Sequence, residues 1–174
     1  MEIQTPRLFL REYEPNDRFF LQKRINSLDV SRYLSKVQFP YTLEDADAFI
    51  RYAQQKKETT PREGYNFVIT TKGSSDLIGS IGLSDVKDTN AVLGYWLSPE
   101  FWGKGFMSEA VGGILSFAKD RLHLETIIAD VFVQNIGSAK VLEKAGFEKQ
   151  ETLKEIRAKS TGLTHKAYSY VCKL

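Results

Sequence analysis

Residues 93–108 read Leu93-Gly94-Tyr95-Trp96-Leu97-Ser98-Pro99-Glu100-Phe101-Trp102-Gly103-Lys104-Gly105-Phe106-Met107-Ser108. This stretch decides the fold. Ala91 to Leu97 reads as a strand, and Ser98 to Met107 as a glycine-bearing loop. A helix follows from Ser108 to about Arg121, with Val111, Leu115, Ala118 and Leu122 down one side. Lys119, Arg121 and His123 close its C-terminal end, where positive charge is favoured. Glycine lets a backbone approach a ligand closely, and N–H groups beside a helix N-terminus form a site for phosphate. Lys104 adds a charge there. The loop is not a P-loop. It also misses the dinucleotide fingerprint, whose third glycine would fall on Ser108. Taken alone, Gly103-Lys104-Gly105 is equally well a plain structural turn.

Working outward, alternation over Arg7 to Tyr13 gives a strand, and Pro15-Asn16 opens a helix through about Ile25. Thr42 precedes Leu43-Glu44-Asp45, a helix start with acids in its first turn. Asn66–Thr71 and Leu77–Leu83 read as strands around a turn at Lys72-Gly73-Ser74. Thr126 to Val133 is a β-branched strand. Asn135 to Ala145 is a short helix, with Asn135 as its N-cap and Gly146 as its stop. Strands near Lys149–Arg157 and His165–Cys172 flank a turn at Ser160-Thr161-Gly162. The order is β-α-α-β-β-β-α-β-α-β-β, an α/β (mixed α+β) sandwich around one mixed sheet.

A chain of 174 residues with mixed charge and a net +2 favours one domain, residues 1–174. That balance gives no basic face for nucleic acid, though a small basic pocket for an anionic ligand is compatible with it. No apolar run approaches the ~20 residues of a membrane span, and the first ten residues lack a signal-peptide core. The expectation is a cytoplasmic protein with no membrane partner, monomer or homodimer. Cys172 is a lone cysteine in a strand pattern and reads as structural. His123 and His165 have no metal-ligand spacing, so no metal is expected.

A second unit, Val133 to Phe147, puts Asn135 and Ser138 in the first turn of a helix just after a strand. On its own this is a cap and an ordinary serine. Together the two units resemble the GCN5-related N-acetyltransferase (GNAT) superfamily, in its ribosomal-protein N-terminal acetyltransferase-like branch (RimJ/RimL type). The resemblance rests on Leu93–Leu97, Pro99-Glu100, Trp102–Gly105, Ser108-Glu109-Ala110, Asn135, Ser138, Val141–Lys144 and Gly146-Phe147. Thr5–Leu8, Leu10-Arg11, Ile78-Gly79 and Ile81–Leu83 extend it.

The resemblance implies a three-layer α-β-α fold on a mixed, mostly antiparallel sheet, with acetyl-CoA as cosubstrate and an amine as acceptor. It implies that the strands ending at Leu97 and Val133 splay apart to admit the pantetheine arm. The diphosphate would lie on Trp102, Gly103, Lys104, Gly105, Phe106, Met107 and Ser108. Trp96 and Leu97 would offer backbone groups, Leu97 at the oxyanion. Asn135 would hold the arm, Lys144 would neighbour coenzyme phosphates, and Ser138 would both contact the coenzyme and protonate the departing thiolate.

Three departures stand out: Trp102 where relatives carry arginine or glutamine, Met107 in place of a small residue, and Val92 in place of a glutamate that serves as base. Asp85, Glu63 or a held water are the remaining candidates for that base. A lysine amine, with pKa about 10.4, is almost wholly charged at neutral pH, whereas an α-amine near about 7.8 has a usable neutral fraction. The expected acceptor is therefore the α-amine of a protein, peptide or amino acid. A small amine such as a polyamine, a catalytically weak acetyl-CoA sensor, and a partner-binding domain without coenzyme are the alternatives.

Overall fold

The computed structural model describes residues 1–174. Its strands are β1 (Glu2–Gln4), β2 (Leu8–Glu12), β3 (Tyr65–Thr71), β4 (Gly79–Lys87), β5 (Asn90–Leu97), β6 (Thr126–Phe132), β7 (Glu148–Arg157) and β8 (Thr164–Lys173). Its helices are α1 (Asp17–Ile25), α2 (Leu28–Ser31), α3 (Leu43–Glu58), α4 (Phe106–Leu122) and α5 (Ile136–Lys144). The expected order holds, with β1 and α2 added; each is too short for periodicity to reveal. Thr42 and Asp45 form a reciprocal capping box that starts α3. Gly146, at φ +87°, ends α5, and Phe147 turns back to donate to the Leu142 carbonyl at 3.1 Å.

The eight strands form one sheet in the order β1-β2-β3-β4-β5-β6-β8-β7. Every neighbouring pair is antiparallel except β5 and β6. That parallel pair is short: Asn90 meets Thr126, Ala91 meets Ile127 and Val92 meets Ile128, and pairing stops there. On their other sides, β5 stays with β4 out to Leu97 and β6 stays with β8 out to Phe132. The sheet is thus two half-sheets joined by a three-residue seam, and they diverge from Leu93 and Ala129 onward.

Strand alternation assigns the two faces. Ala91, Leu93 and Leu97 of β5, with Ile127, Ala129 and Val131 of β6, pack into the cluster that holds Val111, Ile114 and Ala118 of α4 and Leu142 of α5. Tyr95 shares that face. Trp96 packs on the opposite face with Leu21, Ala46 and Ile50 of α1 and α3. Helices therefore cover both faces of the sheet, in a three-layer α-β-α arrangement.

Candidate active site

The loop after β5 meets its helix differently from the sequence expectation. Pro99–Phe101 forms a single 3-10 turn, and α4 begins at Phe106, two residues before Ser108. Gly103 and Gly105 sit at φ +72° and +76°, a conformation that costs an L-residue roughly 1–2 kcal/mol. The left-handed Gly105 is the N-cap of α4. It turns the chain tightly enough that Phe106 and Met107 are already helical. The Met107 side chain is buried in the core, so it points away from the loop and does not crowd it. The backbone N–H groups of Gly103, Lys104, Gly105, Phe106, Met107 and Ser108 have no protein acceptor. Six unpaired donors converge at the N-terminus of a 17-residue helix, an anion cradle whose charge comes from the backbone. Lys104 is exposed beside it, its ammonium 5.5 Å from the Phe101 ring centroid.

A clamp from the opposite end of the chain holds this loop. The Arg7 guanidinium donates to Glu109 at 2.6 Å and to the Lys104 carbonyl at 3.0 Å. It also lies 4.7 Å from the Phe106 ring centroid. Glu109 further accepts from the Arg7 N–H at 2.7 Å and the Thr5 hydroxyl at 2.6 Å. Burial alone would raise the Glu109 pKa; these donors outweigh it and hold the carboxyl below the usual range. Sequence reading counted Thr5–Leu8 only toward the resemblance. Nothing local marks the contact, because Arg7 and Glu109 lie 102 residues apart.

At the end of β5, Trp102 donates its indole N–H to the Leu97 carbonyl at 2.7 Å, folding the loop back onto the strand. Ser98 donates to the Ile78 carbonyl at 2.9 Å. Antiparallel alternation then turns the Trp96 backbone toward Ser80 of β4 and the N–H groups of Leu97 and Tyr95 into the split. This corrects the expectation for Trp96, whose backbone groups are engaged by β4. Of the Trp96–Leu97 pair, only Leu97 turns an N–H to the opening.

Asn135 caps α5, its side-chain oxygen accepting the Ser138 N–H at 3.2 Å. The Ser138 Oγ lies 2.8 Å from the Tyr95 hydroxyl, which also donates to the Ser138 carbonyl at 3.2 Å. Burial pushes the Tyr95 hydroxyl up to about 12. Sequence reading missed Tyr95, although a tyrosine sharing a face with Leu93 and Leu97 needs a partner for its hydroxyl. Lys144 is exposed at the far end of α5, about 9 Å of helix rise beyond Ser138.

The proposed bases are not at the opening. Glu63 pairs with Lys56 at 2.5 Å, and Asp85 is exposed and accepts the Ser84 hydroxyl. Ser84 pairs with Val92 and Lys87 with Asn90, so Asp85 lies beside the paired seam and not at the opening. The acid that borders the open part is Asp130 on β6, which sequence reading missed. Its neighbours Ala129 and Val131 face α4 and α5, so Asp130 faces the other way, toward the side of Trp96. Asp130 accepts from the Ser169 hydroxyl at 2.6 Å and from Lys154 at 3.0 and 3.2 Å. Its side chain keeps 29% exposure. Tyr168 and Tyr170 pack on the α4–α5 side, and Cys172 is buried in the same cluster.

A splayed parallel pair inside an otherwise antiparallel sheet, with free N–H groups of a helix start at its mouth, is an arrangement that can take an anionic ligand with an extended arm. Residues 7–148 match the family model described as "Acetyltransferase (GNAT) domain". The chain belongs to that family and is an acyltransferase, an N-acetyltransferase of GNAT type. The uncharacterized N-acetyltransferase YoaA of Bacillus subtilis is 30% identical over 156 residues, spanning 88% of this chain and 86% of the relative. A GNAT-family acetyltransferase structure from Bacillus anthracis superposes with a TM-score of 0.82 at 24% identity, covering 99% of this chain and 98% of that one. RimL, a ribosomal L7/L12 alpha-N-protein acetyltransferase solved with coenzyme A, gives 0.86 at 16% identity, covering 100% and 98%. No helix of this chain is long and apolar enough to cross a membrane.

Proposed function

We propose that residues 1–174 act as one acetyltransferase domain of the RimJ/RimL-like branch, moving the acetyl group of acetyl-CoA to the α-amine of a protein, peptide or amino acid. The observation that carries this reading is the pairing of six acceptor-free N–H groups at the start of α4 with the split between β5 and β6. The first suits a diphosphate, and the second suits an extended arm.

Acetyl-CoA supplies the activated acyl group when bound. The N–H groups of Gly103 through Ser108 take its diphosphate, with Lys104 adding charge. The free amide nitrogen of Asn135 steadies the arm. The Leu97 N–H is directed at the charge that develops on the thioester oxygen. Ser138 gives a proton to the departing sulfur, and the Tyr95 hydroxyl behind it orients and replenishes Ser138. Asp130, paired with Lys154, takes the proton that the attacking amine must shed. As the new N–C bond forms the C–S bond breaks, so one proton leaves the amine and one reaches sulfur.

Thiol release from acetyl-CoA, measured across α-amines, lysine side chains and polyamines, tests this reading. Turnover of α-amines supports it, and turnover confined to lysine side chains or polyamines overturns the acceptor. Coenzyme binding is checked by melting: a ligand at 100 times its dissociation constant adds about 2.7 kcal/mol to stability. An unchanged melting temperature removes the coenzyme from the reading.

A further inference from the structure

Beside the open end of the split lies a cavity of about 510 Å³ lined by Ser35, Lys36, Arg157, Lys159 and Gly162. It joins two segments distant in sequence, the loop after α2 and the tip of the β7–β8 hairpin, held by the Lys159 N–H on the Ser35 carbonyl at 3.2 Å. All three charged residues in its wall are cations, and none has a carboxylate within ion-pair distance. All three are exposed. Asp45 is near enough to Lys159 to feel its charge, but its carboxylate is engaged by Thr42 and Gln38.

One layer of contacts links this cavity to the split. Phe132 ends β6, the strand bordering the opening, and packs with Ala158, Ala167 and Tyr33. Ala158 stands between Arg157 and Lys159, and Tyr33 two residues before Ser35. Asp130, two residues before Phe132, is about 7 Å back along the strand. The opening therefore carries Asp130, paired with Lys154, and the ground just beyond it carries three cations that have no ion-pair partner, with Asp45 near Lys159.

We infer that this pocket selects acceptors with a carboxylate one or two residues beyond the amine: the amine docks toward Asp130 and the carboxylate toward Lys36, Arg157 and Lys159. The inference rests on the α-amine reading above and narrows it to peptide N-termini with an acidic side chain in the first few residues. Polyamines, cationic along their whole length, are repelled by the same groups.

The test uses the full chain, acetyl-CoA and three amidated tetrapeptides that share an N-terminal serine and carry glutamates, glutamines or lysines at the second and third positions. A free amino acid and its amide separate an α-carboxylate from a side-chain carboxylate. The expected kcat/KM for the glutamate peptide exceeds that for the glutamine peptide by about ten-fold, shrinking as salt screens the pocket. In the double variant Arg157→Gln, Lys159→Gln that ratio falls toward one, with melting temperature as the check on folding. A second variant, Lys159→Glu, turns preference toward the lysine peptide. α-Amine turnover blind to peptide charge, or a ratio that survives the double variant, overturns the inference and leaves the α-amine reading standing. Turnover of polyamines or lysine side chains without α-amines overturns both.

Discussion

The hydroxyl of Tyr95, on β5, stands 2.8 Å from the Oγ of Ser138, in the helix that follows β6. The two residues are 43 apart in sequence. The Asn135 cap fixes the backbone of Ser138, while Tyr95 fixes its side chain. If this pair returns a proton to sulfur, Ser138→Ala lowers kcat by about 100-fold, the lower range for a lost general acid, and leaves the acetyl-CoA KM within a few-fold. Tyr95→Phe costs less, about ten-fold, because the serine remains but loses its orienting partner. The double variant falls no further than Ser138→Ala alone, as expected of residues acting as a unit. Steady-state kinetics on the three variants checks this, and additive losses would separate the two roles.

The Arg7–Glu109 clamp acts on the coenzyme loop from outside. Arg7 engages Glu109 and the Lys104 carbonyl with different nitrogens while stacking on Phe106, so its removal loosens the segment that offers the free N–H groups. Arg7→Ala is expected to raise the acetyl-CoA KM by about ten-fold, equivalent to about 1.4 kcal/mol of lost loop order, with kcat held within about two-fold. Arg7→Lys restores little, since a lysine cannot span both acceptors or stack as a guanidinium does. Glu109→Gln weakens the same clamp. A kcat loss in Arg7→Ala without a KM change would contradict a positioning role.

These two contacts mark where sequence reading stops. The glycine loop, the Asn135 cap and the Gly146 stop were legible because their signals lie within one turn of chain. The splaying of the strands was legible only through the resemblance. Tyr95 with Ser138, and Arg7 with Glu109, arise from packing between elements, and no local period encodes such pairs. The roles of Trp96 and Leu97 depend on register, because a one-residue shift exchanges which of them faces β4. The start of α4 was misread because a left-handed glycine can cap a helix without the side-chain acceptor expected of a cap.

Buried tyrosines set the alkaline limit of stability. Burial raises the hydroxyl pKa of Tyr13, Tyr41 and Tyr95, the last to about 12, against about 10 in the unfolded chain. Between those values the unfolded chain has lost protons that the folded chain keeps. Their contribution is therefore whole below pH 10 and is lost as pH rises toward 12 and beyond. Urea unfolding midpoints are expected to be insensitive to these groups from pH 7 to about 9.5 and then to fall. Tyr95→Phe flattens part of that fall. An unchanged alkaline slope in the variant would mean that Tyr95 ionises freely in the folded protein.

Asp130 yields the sharpest test of how the amine is deprotonated. Its carboxylate borders the open split, faces the side opposite α4 and α5, and is held by Ser169 and Lys154. An α-amine with pKa about 7.8 is mostly charged at pH 6.5 and mostly neutral at pH 8.5, so the need for a base shrinks across that interval. Asp130→Asn is therefore expected to lower kcat/KM for an α-amine by about 100-fold at pH 6.5, with the deficit narrowing several-fold by pH 8.5. A purely structural role for Asp130, as partner of Lys154, would lower the rate equally at every pH. Lys154→Met separates the two further, because it leaves the carboxylate in place while removing its counter-ion. It is expected to retain most of the activity that Asp130→Asn loses, and comparable losses in both variants would assign Asp130 to structure.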